Sequence, residues 1–88
     1  MFEWDETKRL RTIAVRGLDF ADAIDVFDGR AAVHVPSGHT SEARFLTVAR
    51  LNGKLHAVIW TWRGTKRRII SFRRARHGEE RDYRLLHG

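Results

Sequence analysis

The 88-residue chain contains no cysteine. A disulfide framework and a zinc site built on thiolates are therefore excluded, and a reducing compartment suits the chain. No stretch approaches the roughly 20 apolar residues that a membrane-spanning helix needs. The opening Met1-Phe2-Glu3-Trp4-Asp5-Glu6 is acidic and lacks the basic-then-apolar order of a secretory signal. A soluble, cytoplasmic protein with no membrane contact is expected. A Walker-type phosphate loop, a dinucleotide fingerprint and a nucleophile elbow are all missing, which leaves ATP-dependent and acyl-transfer chemistry without support. The histidines at 34, 39, 56, 77 and 87 include no two at metal-ligand spacing, so neither a metal site nor a cofactor is expected.

What the chain has is positive charge, unevenly placed. Residues 1–28 carry seven acids against four bases, residues 29–62 one against four, and residues 63–88 three against nine. The last segment alone matches the net charge of +6. Most of its bases are arginines, whose planar fork pairs well with phosphate, so a polyanion is the first partner to consider. The length allows one domain, spanning residues 1–88, around one small core. The apolar content suffices for a globular fold, and no repeat, linker or low-complexity segment divides the chain.

The apolar spacing predicts seven elements. Asp5 can cap a helix over 6–16 that carries Leu10, Ile13 and Ala14 on one face and stops at Gly17. Asp19 can cap a second, in which Phe20, Ala23, Ile24 and Phe27 share a face. The period then changes to that of strands, over 31–35, 44–51, 54–63 and 67–74. Asn52-Gly53 is the firmest turn, a dipeptide that tolerates positive φ at both centres of a tight hairpin. A last helix over 78–87 should turn Tyr83 and Leu86 inward. The fold class is therefore α+β: two N-terminal helices on one face of a four-stranded antiparallel meander, followed by a C-terminal helix.

Strict alternation along the fourth strand would group Arg67, Ile69, Ser71 and Arg73 on one face, and Arg68, Ile70, Phe72 and Arg74 on the other. Two basic clusters arise, from Gly64 to Arg68 and from Arg73 to Arg76. They could clamp phosphates or stabilise the charge of a phosphorane-like transition state, or they could pair with Glu79, Glu80 and Asp82. Trp60 and Trp62 share a strand face; one of them should be core, while the other can stack on a base. RNA cleavage by the internal 2′-hydroxyl needs a base, an acid and cations. His77, Glu79, Glu80 and Tyr83 could share the proton transfers, with Tyr83 equally suited to a place in the core. By charge alone, a nuclease and a non-catalytic basic module binding nucleic acid or an acidic protein stand level.

Several blocks together resemble the BrnT toxin family. They are Phe2-Glu3-Trp4-Asp5-Glu6-Thr7-Lys8, Gly17-Leu18-Asp19-Phe20 with Ala23 and Val26-Phe27-Asp28, Arg44-Phe45, Thr61-Trp62-Arg63-Gly64, and Arg68-Ile69-Ile70-Ser71-Phe72-Arg73-Arg74-Ala75. The resemblance implies a RelE-like ribonuclease fold and metal-independent cleavage of RNA that stops translation. It also implies neutralisation by a BrnA-like ribbon-helix-helix antitoxin, a complex that represses its own promoter through that antitoxin, and room for a homodimer within the complex. Carried onto this chain, it points to Lys8, Arg63, Arg68, Arg73 and Arg74, with Glu80 and Tyr83, as positions that the family keeps polar or basic. Joined with the reading of the residues themselves, the catalytic candidates are Arg63, Arg68, Arg73, Arg74, His77, Glu80 and Tyr83, and the substrate-binding candidates Lys8, Lys66, Arg67, Arg76 and Trp62. The chain departs from the pattern at Val15-Arg16-Gly17, where many members have Lys-His-Gly, at Ser71-Phe72-Arg73, where many have Ser-Ala-Arg, and in the loop Ser37-Gly38-His39-Thr40.

Overall fold

The computed structural model describes residues 1–38 and 42–88, so His39 and Thr40 of the polar loop lie outside the described residues. The local signals act as their chemistry dictates. The Asp5 carboxylate accepts the N–H groups of Thr7 and Lys8 at 2.9 and 3.2 Å, opening α1 (Glu6–Arg16). Gly17, at φ 68°, closes it by donating to the Ile13 carbonyl at 2.9 Å. Asp19 caps α2 (Phe20–Ala23) through the Ala21 N–H. The expected second helix then tightens into a 3₁₀ turn at Ile24–Phe27. Asn52 and Gly53 both take positive φ, 52° and 78°, and join two long antiparallel strands.

The sheet differs from the expected four-stranded antiparallel meander: it has five strands and is mixed. Residues Phe2–Trp4 form β1, which pairs parallel with β5 (Lys66–Arg74). With β2 (Ala32–Pro36), β3 (Arg44–Leu51) and β4 (Lys54–Arg63), the spatial order is β1-β5-β4-β3-β2, antiparallel except for that first pair. Three residues are too few to show a period, and a parallel pairing bridges distant parts of the chain, so no local signal announced it. Pro36 sits on the edge strand β2, where a missing N–H is tolerated.

The helices also sit differently from the single layer expected. One core lies between the sheet and the α2–3₁₀ segment, built on Phe20, Val26, Val58, Trp60, Ile69 and Phe72. α3 (His77–His87) covers the opposite face, where Tyr83 packs with Val48, Leu55 and Ala57. Leu86, expected to face inward, is 68 % exposed, because α3 buries only Tyr83 fully. α1 does not pack over the sheet: none of its residues is buried, and Leu10 is 55 % exposed. Its position follows from β1, which delivers the chain at the edge of β5. β1 pairs only with residues 67–69, and α1 borders the remaining edge of β5, where the Arg16 guanidinium donates to the Phe72 carbonyl at 3.0 Å. None of the helices among the described residues is long and apolar enough to cross a membrane.

A bulge in β5 resets the strict alternation. Ser71 pairs with Ile59 and Ile69 with Trp60, so Ile70 is an extra residue with no partner on β4. Phe72 therefore joins Ile69 in the core beside the α2–3₁₀ segment instead of facing away from it. Arg74, two residues on, shares that side and pairs in register with His56, while Arg73 turns toward α3.

Candidate nucleic-acid interface

A cleft of about 560 Å³ opens where α1 ends, β4 begins and β5 ends, and its lining is Arg16, Leu18, Lys54, His56, Arg73 and Arg74. Four of the six are cations and none is an acid. Helix-terminating Gly17 places Arg16 at the rim, and the Asn52-Gly53 turn together with the His56–Arg74 pairing brings β4 and β5 side chains to the same spot.

The two arginines of β5 differ. Arg73 is only 14 % exposed and is held by Glu79 through paired hydrogen bonds of 2.8 and 2.9 Å. Hydrogen bonding to Arg73 holds the Glu79 carboxyl below its usual range, and Glu79 in turn raises Arg73. Arg74 is exposed, with no carboxylate partner among the described residues and only a 3.3 Å bond to the Leu55 carbonyl. One arginine anchors α3; the other offers its charge to the cleft.

His56 is 6 % exposed, and its Nδ1 lies 2.8 Å from the Lys54 carbonyl. A carbonyl only accepts, so Nδ1 carries the proton and Nε2 keeps its lone pair. Burial is the main cause that lowers the His56 pKa, with Arg74 and Lys54 adding to it against the Lys54 carbonyl bond. The ring is thus a neutral acceptor beside Arg74 and Lys54, neither of which has an ion pair among the described residues. Sequence reading left His56 aside as a strand histidine; the signal was the register across the Asn52-Gly53 hairpin and β5, which sets it opposite Arg74. Arg16 and Lys54 were missed for the same reason, since their convergence is tertiary.

One adjoining cleft shares Leu18 and His56 with the first and is lined also by Asp22, Asp25, Arg30, Leu51, Asn52 and Phe72, and two others continue the first along α1. The nearer of these two is lined by Lys8, Arg11, Thr12, Val15, Arg16, Ile70 and Ser71, and shares Arg16 with the first. The farther shares Lys8 and Ile70 with the nearer and adds Asp5, Glu42, Arg44, Arg63, Arg68 and Ile69. With the first cleft, these two trace a groove along the seam of α1 and β5. Within this groove the acids stand at the far end, where Glu42 pairs with Arg63 at 3.1 Å and Glu3 with Arg68 at 2.8 Å, while Asp22 and Asp25 line the separate cleft that adjoins His56.

The groove thus brings together Lys8, Arg63, Arg68, Arg73 and Arg74, with the first three at one end and the last two at the other. The ends stand roughly 20 Å apart by strand rise. The structure does not bring His77, Glu80 or Tyr83 into it. Tyr83 is buried under α3 with the Arg50 guanidinium 5.8 Å above its ring, Glu80 lies 3.8 Å from Arg84, and His77 lines an outer cleft of α3 with Arg81, Arg84 and Leu85. Arg76 precedes α3 and donates its backbone N–H to Glu79. Lys66, Arg67 and Trp62 sit at the β4–β5 turn. Among the described residues no group of three His, Asp or Glu side chains could hold a metal ion.

A small α+β domain whose basic groove ends in a histidine-bearing cleft has the charge of a surface that suits a polyanion. The chain belongs to the BrnT family: residues 4–79 match the model of the ribonuclease toxin BrnT of type II toxin-antitoxin systems. It is thus a member of a ribonuclease toxin family, with RNA as the class of substrate and an antitoxin as partner. None of the curated proteins matches it at a significant level.

Proposed function

We propose that the chain cleaves RNA in the Arg16–Lys54–His56–Arg74 cleft, without a metal, by attack of the 2′-hydroxyl on the adjacent phosphate. The observation that carries this reading is a histidine whose Nδ1 holds the proton, beside Arg16, Lys54 and Arg74, which have no carboxylate partner among the described residues. Arg16, Arg74 and Lys54 draw the phosphodiester in and stabilise the charge that grows on its oxygens. His56 Nε2 takes the 2′-hydroxyl proton as the 2′-oxygen bonds to phosphorus and the bond to the 5′-oxygen breaks. Guanidinium groups hold their protons, so the Lys54 ammonium supplies the proton that the departing 5′-oxygen needs. The products are a 2′,3′-cyclic phosphate and a 5′-hydroxyl. Support for a metal-free reaction comes from the charge the cleft itself provides.

In this reading the chain acts in the cytoplasm, stops translation and is neutralised by a BrnA-like ribbon-helix-helix antitoxin. Promoter DNA is reached through that antitoxin, with a toxin homodimer within the complex. The deciding experiment incubates purified toxin with RNA in excess chelator and analyses the ends produced. Cyclic phosphate ends that survive chelation and vanish in His56→Ala are expected. Cleavage that stops on chelation, or that persists in a folded His56→Ala, overturns the mechanism.

A further inference from the structure

Beside the groove, the β4–β5 turn carries a cluster that the proposed cleavage does not use. Trp60 and Trp62 project from the same side of β4, their rings edge to face with centroids 5.4 Å apart. Trp60 is core at 5 % exposure, whereas Trp62 is 46 % exposed. Opposite Trp62 in register is Arg67, whose guanidinium carbon lies 4.8 Å from the Trp62 ring, 5.0 Å from Trp60 and 4.4 Å from Phe27. Three aromatic rings hold this cation. Its Nε is buried without a hydrogen-bond partner, so the guanidinium is fixed by stacking.

We propose that Trp62 and Arg67 form a nucleobase-stacking subsite for single-stranded RNA, with Lys66 receiving the adjoining phosphate. The inference rests on the reading of the groove as the RNA path. The exposed indole offers a flat π-face, and a nucleobase stacks on such a face without demanding a particular sequence. Two neighbours keep the indole rigid before RNA arrives, so little ordering entropy opposes binding. A cation already stacked on the ring attracts the phosphate that accompanies the base. Trp62 and Arg63 are strand neighbours on opposite faces, so a strand that leaves the far end of the groove must pass around the β4–β5 turn to reach the subsite. The subsite lies roughly 20 Å from the cleft by strand rise, or about six nucleotides at a stacked spacing of 3.4 Å. A strand must therefore extend well beyond the cleaved bond to reach it.

The experiment measures binding of a 12-nucleotide 2′-O-methyl RNA, which lacks the attacking hydroxyl, to wild type, Trp62→Ala and Trp62→Phe. Affinity should fall roughly ten- to hundredfold in Trp62→Ala and be largely retained in Trp62→Phe. With wild type, moving one abasic residue along the probe should reproduce the loss at a single position, and Trp62→Ala should be indifferent to it. On cleavable RNA, KM should rise with kcat unchanged. Unchanged affinity in a folded Trp62→Ala, or a loss confined to antitoxin binding, overturns the subsite while leaving cleavage at His56 untouched. A wild type that binds no RNA overturns the groove reading itself.

Discussion

Adjacent arginines on one strand take opposite fates, so Arg73 and Arg74 separate stability from chemistry. Removing Arg73 leaves the mostly buried Glu79 carboxylate without its bidentate partner, a loss of about 3 kcal/mol. Arg73→Ala should therefore lower the urea midpoint strongly. Arg74→Ala should leave the midpoint nearly unchanged yet reduce kcat by a hundredfold or more, the scale of losing one prepositioned charge at a phosphoryl centre. Equal stability losses in the two variants would contradict the division. His56 adds a pH dependence. Its pKa in the folded chain lies below the ordinary 6.5, so the unfolded chain takes up the proton first as pH falls. The stability its neutral form contributes is full above about pH 6.5 and declines below it; His34, lowered by burial and Arg67, acts in the same direction. The acid limb of kcat/KM should accordingly have its midpoint below 6.5, and a midpoint above that value would remove His56 as the base.

Among the elements, those governed by local chemistry were legible in the sequence. Asp5 and Gly17 bound α1, Asp19 opens α2, and Asn52-Gly53 turns the hairpin, each because one residue's side chain or φ preference decides the outcome. β1 and the bulge at Ile70 were not legible, because each depends on a pairing partner distant in sequence. The candidate site divides in the same way: Arg73 and Arg74 stand out by composition, but Arg16, Lys54 and His56 meet them only through the register. The bulge makes a test available. Deleting Ile70 removes the extra residue and leaves Ile69 and Phe72 on the core side, so the chain should still unfold cooperatively by circular dichroism. Deleting Ile59, which pairs with Ser71 beside the bulge, reverses the faces of Trp60 and Trp62 relative to Val58 and should abolish the cooperative transition. Loss of folding in the Ile70 deletion, with Ile70→Gly folding normally, would show that the bulge itself is required.

Across the whole molecule, a net charge of +6 says less than which cations are already neutralised. Arg9, Arg30, Arg63, Arg68 and Arg73 are tied to carboxylates within 3.1 Å. Lys8, Arg11, Arg16, Lys54 and Arg74 line the groove without an ion pair among the described residues. Counterion release depends on the second set, since a cation paired to a carboxylate has less charge to give a phosphate. Each neutralised phosphate of a single strand contributes about −0.7 to the slope of log affinity against log salt, so five free cations predict a slope near −3.5. Titrating His56→Ala with a long single-stranded RNA between low and physiological salt measures it. Lys8→Gln with Arg11→Gln should flatten the slope by about 1.4, while Arg30→Gln, paired to Asp28 outside the groove, should leave it as it was. A slope unaffected by the Lys8 and Arg11 changes would place the RNA elsewhere on the surface. A slope that responds equally to all three would mean that net charge, and not the groove, holds the strand.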